Sequence, residues 1–137
     1  MIRIPRDVLD AMIRQAGEEL PDEACGLLTG TDGVVQARHA LTNMDHSPEH
    51  FSFSPQEQFN VLKEARRNGR KIIANYHSHP ASPARPSEED IRLALDSQIV
   101  YVIISLAAEE PVVKAFHIAD SVVRPCEIVV SEIVISD

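Results

Sequence analysis

Apolar residues recur at helical spacing over residues 5–20, where Val8, Leu9, Met12, Ile13 and Ala16 share one face behind Pro5. A helix is predicted there, and Pro21 stops it. The apolar run "EACGLLTG" ends in a Gly-Thr-Asp-Gly turn and is followed by "VVQARHALTN", which together predict a hairpin. A polar loop, "MDHSPEH", leads into "FSFS", where Phe51 and Phe53 alternate with serines. Ser54-Pro55-Gln56-Glu57 combines a serine cap, a first-turn proline and a glutamate three residues after the cap. A second helix is therefore predicted through "QFNVLKEARRN" to Gly69, a natural terminator.

Beyond that point "KIIANYHSH" reads as a strand, and Ser87 as the cap of a third helix through "EEDIRLALDS". The β-branched density of "IVYVIISLAA" predicts a central strand, with "PVVKAFHIAD" pairing to it across a Glu-Glu-Pro turn. The tail "EIVVSEIVIS" alternates enough for another strand or two. No repeat or Gly/Ser-rich linker interrupts the pattern, so residues 1–137 read as one α/β domain. A single mixed sheet flanked by about three helices is expected.

Charge narrows the function classes. Lys and Arg total 13 against 21 Asp and Glu, a formal net charge of −8, and the one basic cluster is "ARRNGRK" at 65–71. Nucleic-acid binding is not expected, because it is driven by Lys and Arg displacing counterions, and no tryptophan is available for base stacking. Two cysteines, Cys25 and Cys126, make neither a disulfide framework nor a thiolate zinc site. The N-terminal segment carries Arg3, Arg6 and Asp7 and is unlike a signal peptide. The longest apolar run, Ile99 to Leu106, reads as a buried strand rather than a membrane span. A cytoplasmic location without membrane association is the expectation.

The stretch "NYHSHPASPARPSEED", Asn75 to Asp90, carries the candidate chemistry. In a strand, residues i and i+2 face the same side, so His77 and His79 can converge on one ion while Ser78 points away. Asp90, one turn into the following helix, completes a His-His-carboxylate set if the seven-residue connection folds back. Pro80, Pro83 and Pro86 stiffen that connection. A zinc-bound water has a pKa of about 7 and could attack an amide carbonyl. Local chemistry alone also allows a plainer account. Ser87-x-x-Asp90 is a capping-box variant, and a His-x-His in a strand is often incidental. The combined spacing is expected by chance only on the order of once in a thousand such chains.

"HSHPASPARPSEED" resembles the JAMM signature of MPN-type metalloproteases, His-x-His-Pro-x6-Ser-x-x-Asp, at every defined position. "PDEACGLLTG" resembles the family's upstream glutamate element and offers Glu23. The resemblance covers nearly the whole chain and implies an MPN/JAMM architecture of the cytidine-deaminase-like kind. It implies one zinc ion per chain held by His77, His79 and Asp90. It further implies Glu23 as general base acting through the zinc-bound water, and Ser87 as the group steadying the oxyanion. Sequence alone could not select Glu23 among the twelve glutamates, and its plainer reading is a solvated residue past a helix.

The chain is similar to the short stand-alone prokaryotic members, some of which act on ubiquitin-like sulfur carriers. The expectation is a metallopeptidase cutting after the C-terminal tail of such a carrier and releasing cysteine or a short extension. Deubiquitinase-like isopeptidase activity and a non-catalytic MPN binding module are the alternatives, and a homodimer is left open. Other histidines and cysteines stay outside the site. His46 and His50 are split by Pro48 and read as surface loop; His117 reads as structural. Cys25 falls on the same side as Glu23 but reads as a small buried apolar residue. Cys126 follows Pro125 without the second cysteine of a zinc deaminase motif.

Overall fold

A computed structural model describes residues 1–132. Its order is β1 (Ile2–Pro5), α1 (Arg6–Glu18), β2 (Cys25–Thr31), β3 (Val34–Leu41), α2 (Pro55–Arg67) and β4 (Lys71–His79). Then follow α3 (Glu88–Arg92), β5 (Val100–Ser105), β6 (Val112–Ala119), β7 (Val122–Cys126) and β8 (Ile128–Ser131). The strands form one mixed sheet in the order β7-β6-β5-β4-β2-β3-β1-β8. The expected α/β architecture of one sheet and three helices is what the described residues adopt.

Local chemistry explains most boundaries. Asp32 and Gly33 both take positive φ, 51° and 75°, as a tight hairpin turn between β2 and β3 requires. Ser54 caps α2 by accepting the Glu57 N–H, with Pro55 in the first turn. Strands β4 and β5 run parallel, so the chain must cross over between them, and the proline-rich connection with α3 makes that crossing.

Both faces of the central strands are covered. On one face Leu28, Ala74, Tyr76, Val102 and Ile104 pack under Leu9, Met12 and Ala16 of α1. On the other, Cys25, Leu27 and Leu41 pack with Val61 of α2, while Tyr101 and Ile103 pack beside Ile91 and Ala94. The alternation of β4 sends Tyr76 to the α1 face and His77 to the opposite one.

Three expectations are revised. Strand β1 precedes α1 in a segment that sequence pattern left unassigned; it pairs in parallel with β8 and β3. Strand β7, "VVRPC", pairs antiparallel with β6 at the sheet edge, where Pro125 is tolerated. Helix α3 ends at Arg92 instead of running to Ser97. There Asp96 accepts the Gln98 N–H on its side chain, while its own N–H and C=O are held by the Tyr101 hydroxyl, so turn chemistry displaces the helix. Of the predicted tail strands, β8 lies within "EIVVSEIVIS", and residues 133–137 lie outside the described residues.

Candidate metal centre

His77 and His79 lie in the buried end of β4, between β2 and β5, with His77 beside Cys25 on one side and Ile103 on the other. The connection after β4 folds back through two tethers. Ser105 donates its hydroxyl to Ser82 O at 2.6 Å, and His79 Nδ1 lies 2.9 Å from Pro83 O. Ser87 then caps α3 in a reciprocal box: Asp90 N–H bonds Ser87 Oγ at 3.0 Å and Ser87 N–H bonds Asp90 Oδ2 at 2.9 Å. The cap therefore aims the Asp90 carboxylate at the histidines.

Three ligand atoms converge as a result. His77 Nε2 and His79 Nε2 lie 3.1 Å apart, and Asp90 Oδ2 lies 3.2 and 3.1 Å from them. Donors at zinc bond lengths in a tetrahedron would be separated by about 3.3 Å, close to this triangle. Proton placement gives a second test. Pro83 O can only accept, so a neutral His79 carries its proton on Nδ1 and turns its Nε2 lone pair toward Asp90 Oδ2, an acceptor when ionised, at 3.1 Å. A cation at the centre would relieve the facing of lone pairs, and two imidazoles with a carboxylate are a donor set that could hold zinc.

The electrostatics fit this picture. Burial works against charge on Asp90, but its bonds to His77 and His79 hold the carboxyl well below the usual range. Burial pushes His77 down. On His79 burial also acts to lower the pKa, yet the bonds to Asp90 and Pro83 outweigh it and raise it.

Glu23 stands just before β2. Continuing the Cys25–His77 register by two residues sets it opposite His79, and Ser78 N–H bonds Ala24 O at 2.9 Å along the way. Glu23 is 4% exposed, and burial pushes its carboxyl up to about 8. Its Oε1 is buried without a hydrogen-bond partner. Ser87 is exposed, and its hydroxyl, already accepting from Asp90, keeps its hydrogen to donate.

Several contributors carried no clear signal in the sequence. The Phe51 ring stacks on His77 with centroids 4.6 Å apart, so the "FSFS" stretch walls the site instead of adding a full strand. Ser78, pointing away from the ligands, accepts the Ala24 N–H at 2.8 Å and locks β2 to β4. Cys25 is fully buried with its thiol pushed up to about 12, as a small apolar residue would be. His50 bonds Asp45 in the loop, and His46, His117 and Cys126 lie outside the triad.

Beside His77 and Asp90 opens a cavity of about 230 Å³ walled by Phe51, Phe53, Leu93, Tyr101, Ile103 and Ile118. Phe53, Asn75, Leu93 and Tyr101 also line a groove that continues toward α2, where Arg66, Arg70 and Lys71 form a basic edge. Leu95 stands at that groove 90% exposed. Among the described residues no helix is long and apolar enough to cross a membrane.

Comparison with known proteins gives the family of the chain. Residues 5–119 match the family described as prokaryotic homologs of the JAB domain. The chain is 36% identical over 104 residues to the CysO-cysteine peptidase of Mycobacterium tuberculosis, covering 74% of this chain and 71% of that one. It is 27% identical over 106 residues to the desampylase of Pyrococcus furiosus, covering 77% and 75%. Among solved structures, protein DSY2949 from Desulfitobacterium hafniense superposes with a TM-score of 0.90 at 46% identity, covering 98% and 96%.

Proposed function

The chain belongs to the prokaryotic JAB-domain family and is a hydrolase of its peptidase class, and from that premise we propose a zinc-dependent cut after the tail of a ubiquitin-like sulfur carrier. The bond broken is the amide joining the carrier's C-terminus to cysteine or a short extension. The observation that carries this reading is the convergence of His77, His79 and Asp90 beside the buried Glu23, whose Oε1 has no hydrogen-bond partner. The likeness to a CysO-cysteine peptidase supports the substrate class. The groove running from the triad past Leu93 and Leu95 to Arg66, Arg70 and Lys71 has the form an extended tail and an acidic carrier would need.

Zinc, when bound, supplies Lewis acidity and brings a coordinated water to a pKa of about 7. His77, His79 and Asp90 would hold it, with the Pro83 carbonyl fixing the His79 tautomer and Phe51 stacked on the His77 ring. Glu23, with its carboxyl raised by burial, takes the proton from the attacking water and delivers it to the leaving nitrogen. Ser87 donates its hydroxyl hydrogen to the carbonyl oxygen as negative charge builds there. Isopeptidase action on larger conjugates is the second reading, favoured by the likeness to a desampylase and by the length of the groove. A purely binding role is disfavoured because every ligand of the triad is present.

The test is mass spectrometry of tagged ubiquitin-like carriers bearing a C-terminal cysteine or a short extension, incubated with wild type and Glu23→Ala. Loss of the terminal residue with wild type and none with Glu23→Ala is expected. No loss from any carrier refutes the substrate, and equal loss with both refutes the role of Glu23.

A further inference from the structure

Asn43 lies in the loop between β3 and α2, 34 residues before His77, yet it is 4% exposed and fully bonded. Its Nδ2 donates to Glu23 O at 3.0 Å and to His50 O at 3.1 Å. Its Oδ1 accepts from Asp45 N–H at 3.0 Å and from Ser52 N–H at 3.4 Å. One side chain therefore closes the loop on itself and ties it to the residue just before β2.

Glu23 depends on that tie. Its N–H donates to Ser47 O at 2.8 Å, so both of its main-chain polar groups are bonded to the 43–52 loop and neither to the sheet. Its Oε1 has no partner, so side-chain bonding to that atom does not fix the carboxylate. Placement of the base then rests on where the main chain is held. The same loop carries Phe51, stacked on His77, and leads to Phe53 in the cavity wall. Moving it would disturb base and ligand together.

We propose that Asn43 is a positioning residue for catalysis: through its bond to the Glu23 carbonyl it sets the general base over the metal centre and couples that base to the loop walling the substrate cavity. The proposal rests on the reading of Glu23 as the base. A misplacement of about 1 Å in a catalytic group can cost a hundredfold in rate, so a tie of this kind acts on turnover more than on binding.

The experiment uses the full, zinc-loaded chain and a tagged ubiquitin-like carrier ending in an added cysteine, with rates expressed per zinc-loaded chain. Asn43→Ala is expected to lower kcat at least tenfold with KM within threefold and zinc content unchanged. Asn43→Asp keeps an acceptor for Asp45 and Ser52 but loses the donor to Glu23, and is expected to lose kcat to a similar degree. In a Glu23→Gln background, where the base is already gone, Asn43→Ala is expected to change the residual rate less than twofold. Unchanged kcat in both Asn43 variants, an equal loss in both backgrounds, or failure of both variants to fold overturns the positioning role. A Glu23→Gln enzyme as fast as wild type would instead overturn the base assignment on which it rests.

Discussion

Gly26 offers the sharpest packing test, because its hydrogen makes room for a buried aromatic ring. It lies directly across from Tyr76 in the β2–β4 register, and a Cβ built on it would land on the Tyr76 ring. Tyr76 is fully buried and donates its hydroxyl to Gln15 Oε1 at 2.6 Å, while Gln15 Nε2 bonds Cys25 O at 3.0 Å. In Gly26→Ala the ring must shift. Overpacking of this kind costs roughly 1–3 kcal/mol. Weakening the Tyr76–Gln15 bond costs about 1 kcal/mol more. Against this, alanine is preferred over glycine in a strand by about 0.5–1 kcal/mol. The steric term wins, for a net loss of about 1–3 kcal/mol. Urea unfolding of chelator-treated protein reads it: with an m-value of about 2 kcal/mol/M the midpoint falls by roughly 1 M. Repeating the substitution in a Tyr76→Leu background, where the ring is gone, should remove most of the penalty. A neutral Gly26→Ala, or an equal penalty in both backgrounds, refutes the reasoning.

Three further outcomes follow from the same structure. Ser78→Ala leaves the buried Ala24 N–H without its partner and should cost about 1–3 kcal/mol in the same urea assay; a loss under about 0.5 kcal/mol would show that the N–H finds another acceptor. Glu23 has its pKa raised from 4.5 to about 8, so the zinc-free fold binds the extra proton and its stability should decline as pH rises from about 5 through 8. Glu23→Gln should flatten that decline, and identical pH slopes for the two proteins would contradict it. Zinc at about a hundred times its Kd should stabilise the fold by about 2.7 kcal/mol in thermal melts, and His77→Ala should abolish the effect; an equal gain in the variant would place the ion elsewhere.

Elements with their own punctuation were legible in the sequence. The Asp32-Gly33 turn, the Ser54-Pro55 cap and the Ser87 cap each announced a boundary through side-chain or backbone chemistry local to a few residues. Strand β1 was not legible, since four residues, Ile2 to Pro5, carry too short an alternation and find their partners in β3 and in β8, far along the chain. The end of α3 was misread because Leu93 and Leu95 extend an apolar pattern that the Asp96 turn interrupts. The triad could be proposed from its spacing because strand alternation and a helix cap are regular geometries. Asn43 and Phe51 could not, because an irregular loop gives no periodicity from which to infer direction.

The metal centre is the central claim, and its most direct test is zinc quantification on protein purified without chelator, wild type beside Asp90→Ala. About one zinc per chain in wild type and a large loss in the variant are predicted, since Asp90 Oδ2 closes the triangle with both imidazoles. A wild type without metal, or an Asp90→Ala protein that retains it in full, would contradict the account.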